Sequence, residues 1–339
     1  MQQFLSNLVG RVKPGEAVGE ACRACAALAR GEEAEVGKPL ADIKVMLMGD
    51  AEKESDEAIA ARVAEAAIDQ NLARCVAACI VELPLESMKA AAHILANLSR
   101  REGERFGGEA FAEQLVADGF ALEALCRAYP ENGEVALACG TILREAAKHE
   151  IVTAALLKSP SFWLYPSEYV HAKNFDVASD AFEVLRTLLT QHPQTASRFI
   201  SDNYDFFFEC FNRLLHSDNY VTRRESLRLL AELLLDRANY KTMMAYISNR
   251  DNLKLLMLLL RSKKQRIQIE AFHVFKIFVA NPRKPPQIAK VLFNNKDKLL
   301  AYLRAFHNDK VEDQFLEEKN LIIDTLQNLQ DPDDDDGAT

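Results

Sequence analysis

The side chains of this chain with reactive or ligating chemistry are seven cysteines, seven histidines and a closing run of aspartates. Cys22 and Cys25 form a C-x-x-C, a spacing used for zinc and for dithiol redox work, but no matching second pair and no nearby histidine accompanies it. Cys75, Cys79, Cys126, Cys139 and Cys210 lie in Ala- and Leu-rich helical contexts. That is how a small hydrophobe is used in a reducing compartment. None of the histidines stands in H-E-x-x-H or beside a G-x-S-x-G elbow, and no Lys-Ser/Thr follows Gly107-Gly108 to cradle a phosphate. The aspartates of DPDDDDGAT alternate as in a calcium loop, yet Asp336 stands where that loop needs glycine and no glutamate follows. The expectation is a chain that is not an enzyme, with no metal, no cofactor and no small-molecule substrate.

A different chemistry sits in NYVTRRESLRLLAELLLDRANY, Asn219 to Tyr240. Thr222 and Glu225 have the T-x-x-E spacing of a capping box, which predicts a helix starting there. Arg223 and Arg224 then fall in the first turn, where the helix dipole disfavours cations by a few tenths of a kcal/mol. On a helical wheel Ser226, Leu227, Leu229, Leu230, Leu233 and Leu234 form a core side, and Glu225, Glu232 and Asp236 a solvated one. Between them runs a strip of Arg224, Arg228, Ala231 and Leu235, with Tyr220 just before the cap. Arginine offers carboxylates a planar fork and aromatic rings a stacking face, so the strip suits a short peptide carrying an acid and an aromatic. Lys254 and Met257 share a face of the next predicted helix and complement it, since methionine adapts to aromatic ligands. The plainer alternative is that these arginines pair with local acids or water.

The elements that position these residues are helices. Hydrophobic residues are 49% of the chain, with only 13 glycines and 11 prolines, and no strand-like alternation appears, so the class is all-α. One template recurs five times: AAHILANL at Ala91–Leu98, CGTILREA at Cys139–Ala146, AFEVLRTL at Ala181–Leu188, SLRLLAEL at Ser226–Leu233 and AFHVFKIF at Ala271–Phe278. The aligned positions Ile94, Ile142, Val184, Leu229 and Val274 recur every 42 to 48 residues. HEAT and armadillo repeats have this period, about 40–47 residues of two or three helices. Such units cannot bury their apolar stripes alone, so they stack into a curved superhelix. The expected organisation is a divergent capping region over 1–70 with a charged loop in Gly31–Ala58, a repeat array over 71–330 and a disordered acidic tail over 331–339. His93 and His273 share a template slot, which favours a structural role.

Charge is uneven: 18 basic against 10 acidic residues in 201–300 make that block strongly positive, between acidic flanks. Neither a basic leader followed by an apolar run nor a membrane-length apolar segment appears, so the expectation is a cytoplasmic protein. The block also allows a generic helical-repeat adaptor that binds acidic peptides or nucleic acid. Yet no RNA-reading signature accompanies it and the acidic flanks oppose phosphate, so nucleic acid is not expected.

The stretches NYVTRRESLRLLAELLLDRANY, IQIEAFHVFKIFVANP, NFDVASDAFEVLRTLLTQH and EVALACGTILREAAKHE together resemble the mouse protein 25 family, also called the calcium-binding protein 39 family. The resemblance runs over the whole chain and is strongest from Glu134 to Leu329. It implies a non-catalytic horseshoe of armadillo-like repeats that binds sterile-20-type kinases and pseudokinases and holds them in an active, closed conformation. It also implies a role in polarity, morphogenesis and cytokinesis signalling. Carried across by position, a pocket for a Trp-Glu-Phe-type peptide falls on Tyr220, Arg224, Arg228 and Met257. A concave kinase-binding face falls on Phe175 and Arg237. Asn294 stands where relatives carry a lysine, with Lys296 close by.

Overall fold

The computed structural model describes residues 13–50, 54–102, 107–130, 132–307 and 313–331. Twenty α-helices and three short 3-10 turns make up the regular structure among the described residues, with no strand. The acidic tail beyond Asp331 lies outside them, and so does the calcium-loop reading of it. The chain divides into two compact units, Met1–Phe199 and Ile200–Thr339.

In the first unit the helices Gly37–Met48, Leu85–Arg100, Gly133–Ala146 and Phe175–Thr190 pack each on the next, forming the spine of the array. Three of them carry the template found in the sequence. The aligned residues Ile94, Ile142 and Val184 are fully buried, as the 3.6-residue period demands of an apolar stripe facing a neighbour. Gly37–Met48 lies inside the stretch expected to be loose, and buries Leu40, Ile43 and Leu47. Its start at Val36 has no side-chain cap, so packing on Leu85–Arg100 rather than a local signal holds it.

Polar side chains stitch one repeat to the next by satisfying carbonyls left open at helix ends. His149 Nε2 donates to Ser99 O (2.8 Å) and His192 Nε2 to Ala147 O (3.0 Å). Within the core, Asp180 accepts from the buried Tyr129 hydroxyl and from Arg144 Nη1 (2.6 Å), joining three helical segments at one carboxylate. Gly140 makes this possible, because a Cβ there would overlap Asp180 Oδ2.

In the second unit Tyr220–Leu235 packs on Gln265–Ala280, which also receives Arg250–Leu260 and Asp313–Gln327. Template residues Leu229 and Val274 are buried. Phe272, Phe306 and Phe315 cluster where Asp313–Gln327 closes over the last template helix. The fold is therefore an armadillo-like helical repeat.

Candidate functional site

The helix that carries the arginines begins earlier than its capping box predicts. Asn219 is the N-cap, and its Oδ1 accepts from Val221 N (2.9 Å) and Thr222 N (3.4 Å). Tyr220 is thus the first helical residue, and Thr222 is buried in the first turn instead of capping it. Asparagine three residues upstream is as good a cap as threonine, and it leaves the threonine free to pack. The correction moves Arg223 and Arg224 to the fourth and fifth helical positions, beyond the turn where the dipole opposes them. Arg223 folds back and donates from Nε to Ser217 O (2.8 Å), capping the preceding turn.

Tyr220, Arg224 and Arg228 are spaced four apart and so lie along one edge of the helix, next to the buried row predicted for it. Tyr220 is 40% exposed, Arg224 half-buried and Arg228 largely exposed. Two acids hold the arginines. Glu225 accepts from Arg224 Nη1 (2.8 Å) and Arg228 Nη1 (3.0 Å), and Glu270 of the next template helix lies 3.4 Å from Arg224 Nη2. Local acid pairing, the plainer reading, is therefore present, and the sequence period could not reveal Glu270, 46 residues away. Burial pushes the Glu270 carboxyl above its ordinary range, and Arg224 and then Arg228 pull it back. Arg224 Nε is buried with no hydrogen-bond partner, so the guanidinium keeps a donor unspent.

Lys254 and Met257 lie on Arg250–Leu260, a helix that packs on Gln265–Ala280. Lys254 Nζ donates to Asp251 Oδ1 (3.1 Å) on its own helix, and Met257 is half-buried. The cavity formed in this region, about 420 Å³, takes the neighbouring residues instead: Arg223, Leu255, Leu258 and Lys264 line it. Asn294 ends the helix Pro286–Asn294 and is exposed, while Lys296 Nζ donates to Leu329 O (2.9 Å).

Phe175, in the first unit, opens its helix after the Asn174 cap and is 60% exposed. Arg237, in the second, opens a 3-10 turn capped by Asp236 and is exposed. Leu235 and Tyr240, which flank Arg237 in the sequence, line a groove of about 710 Å³ that sequence reasoning missed. Leu235 (58% exposed), Tyr240 (61%) and Leu321 (62%) stand in it with Met243 and Met244. The Lys276–Glu318 ion pair (2.6 Å) crosses its wall. Its lining comes from segments over 80 residues apart, and only the unusual exposure of Leu235 on the wheel pointed to it.

Among the described residues, no three His, Cys, Asp or Glu side chains gather as a metal site, and no helix is long and apolar enough to cross a membrane. Chemically these surfaces suit contact with another polypeptide: guanidinium groups along a helix edge at one place, exposed apolar side chains with methionines at the other.

A family model described as Mo25-like matches residues 12–330. The chain is 42% identical over 290 residues to the degreening-related gene dee76 protein of Auxenochlorella protothecoides, covering 85% of this chain and 89% of that one. It is 40% identical over 297 residues to the Mo25-like protein of Schizosaccharomyces pombe (87% and 89% covered). It is 40% identical over the same length to the calcium-binding protein 39-like protein of Homo sapiens (87% of each). An engineered protein of solved structure superposes with a TM-score of 0.54 at 15% identity, over 91% of this chain and 69% of that one, which speaks to fold alone.

Proposed function

Since the chain belongs to the Mo25-like family, we propose that it is a non-catalytic scaffold that binds a sterile-20-type protein kinase or pseudokinase and stabilises its closed, active state. The observation that carries the reading is the edge of Tyr220, Arg224 and Arg228, which pairs an exposed ring with guanidinium groups held in place by Glu225 and Glu270. A Trp-Glu-Phe-like tail of the partner binds there: its acid competes with Glu270 for Arg224, and its rings lie against Tyr220 and the stem of Arg228. Lys254 and Met257 extend this pocket. Phe175 and Arg237 meet the kinase fold.

The mechanism is a shift of populations. A kinase samples open and closed arrangements, and a surface that fits only the closed one favours it by the difference in affinity; ~3 kcal/mol gives about 150-fold. Tail capture adds a second attachment and raises the effective concentration of the first. The chain supplies no group to phosphoryl transfer. The work is cytoplasmic, in polarity and cytokinesis signalling.

The experiment is stimulation. Purified chain added to the sterile-20-type kinases of its own organism raises the turnover of at least one of them severalfold. No stimulation and no co-purification across that set refutes the scaffold. Binding that is instead abolished by moderate salt and directed to RNA supports the generic adaptor.

A further inference from the structure

The C-x-x-C of the sequence has no second pair within reach along the chain, but the fold brings one. The helix Pro14–Leu28, which carries Cys22 and Cys25, packs on Leu72–Ala78, which carries Cys75 and leads into Cys79. Cys22 Sγ and Cys75 Sγ converge on one acceptor, the Gln70 carbonyl, at 3.7 and 3.9 Å. The Cys22 thiol is also within hydrogen-bonding reach of the Cys75 sulfur, so its one S–H can turn to either acceptor. Gln70 is pinned in turn by its own side chain, whose Nε2 donates to Gly15 O (3.0 Å), and Asn71 turns the corner at φ 50°. Cys22 and Cys75 are both partly exposed, whereas Cys25 and Cys79 are buried beneath them.

We propose that Cys22 and Cys75 form a peroxide-oxidisable dithiol, a modification site in which Cys75 is the attacking sulfur and Cys22 the resolving one. Three features separate their roles. The Cys22 S–H turned to Cys75, a backbone N–H and the neighbouring Arg74 favour the Cys75 thiolate and, against the burial that opposes it, lower its pKa. Cys22 donates that bond and is held as a thiol, its pKa raised. Both residues are partly exposed, as attack by a small oxidant requires. Arg74 is itself fixed, paired with Asp118 and lying over the Phe120 ring (4.4 Å).

The chemistry balances with hydrogen peroxide as oxidant. The Cys75 thiolate attacks one peroxide oxygen, the O–O bond breaks, and the departing hydroxide takes a proton to leave as water. The Cys75 sulfenic acid is then attacked by the Cys22 sulfur, an S–S bond forms, the S–O bond breaks, and a second water leaves with the Cys22 proton. Two thiols are oxidised and one peroxide is reduced to two waters. The product staples two helices whose bridged cysteines lie far apart in sequence, which constrains the unfolded chain. This site is independent of the proposed partner-binding surfaces.

The test uses the full chain, treated with sub-millimolar hydrogen peroxide, alkylated and digested with trypsin without reduction. Cleavage after Arg23 separates Cys22 from Cys25, while Cys75 and Cys79 share the peptide ending at Lys89 and are told apart by fragmentation. The expected product is a Cys22–Cys75 cross-link that dithiothreitol removes, with a melting temperature several degrees above that of the reduced chain. In Cys22→Ser the Cys75 sulfenic acid accumulates and is trapped by dimedone; in Cys75→Ser the Cys22 thiol stays alkylatable. Free, alkylatable Cys22 and Cys75 after exposure that oxidises a model thiol overturns the proposal. A cross-link confined to other cysteines overturns it too.

Discussion

Asp180→Ala removes the carboxylate on which Tyr129 and Arg144 converge. Asp180 is buried, and burial keeps its carboxyl above the ordinary range even though both partners pull it down. Its loss strands the Tyr129 hydroxyl in the core and leaves Arg144, 28% exposed, without its counter-ion. Breaking such a pair by deleting one partner costs about 3–5 kcal/mol. Removing the desolvated carboxylate offsets part of this, so a net loss of about 3 kcal/mol is expected. In a unit of about 200 residues each kcal/mol moves the melting temperature by roughly 2–4 °C, giving a drop of about 6–12 °C for that transition. Scanning calorimetry of wild type and variant reads it directly. Gly140→Ala supplies the cross-check, since its Cβ overlaps Asp180 Oδ2 and overpacking costs about 1–3 kcal/mol. Most of that penalty disappears when the substitution is made in the Asp180→Ala background. A drop below about 2 °C for Asp180→Ala, or additive penalties in the double variant, would refute the reasoning.

His273 gives a pH signature. Burial, then Lys276, lower its pKa below the ordinary 6.5. The fold thus favours the neutral ring: its contribution is intact above pH 6.5 and is lost as pH falls through that value towards the depressed one. Urea unfolding at pH 7.5 and 5.5 shows a smaller loss of stability in His273→Gln than in wild type. Tyr240→Ala changes stability by no more than about 0.5 kcal/mol, because the ring is exposed. Kinase binding by the same variant, read by calorimetry, weakens by about 2 kcal/mol if the groove is part of the partner surface. Phe175→Ala behaves likewise, with unchanged thermal unfolding and reduced stimulation in the kinase assay.

The helical array was legible because its signal is local and repeated. A small residue and a β-branched or Leu residue three further on mark each template helix, and burial of Ile94, Ile142, Val184, Leu229 and Val274 follows from the period alone. The buried row on the arginine helix was readable for the same reason. What stayed hidden was non-local or rested on competition between equivalent signals. Asn219 and Thr222 can both cap, and only the packed position of Thr222 decides between them. Glu270, Asp180 with Tyr129, and Cys75 with Cys22 meet across one repeat, a distance at which sequence spacing predicts no pairing. The Leu235–Tyr240–Leu321 groove combines segments whose exposure no single helical wheel contains.

The central claim is that Tyr220, Arg224 and Arg228 grip a partner's tail. It is tested most directly by titration calorimetry of a peptide ending in Trp-Glu-Phe against wild type and against Arg224→Ala, with circular dichroism to establish that both are folded. Saturable one-to-one binding by wild type, weakened at least about fivefold, or ~1 kcal/mol, in the variant, is the predicted result. Equal affinities, or no binding to wild type, contradict it.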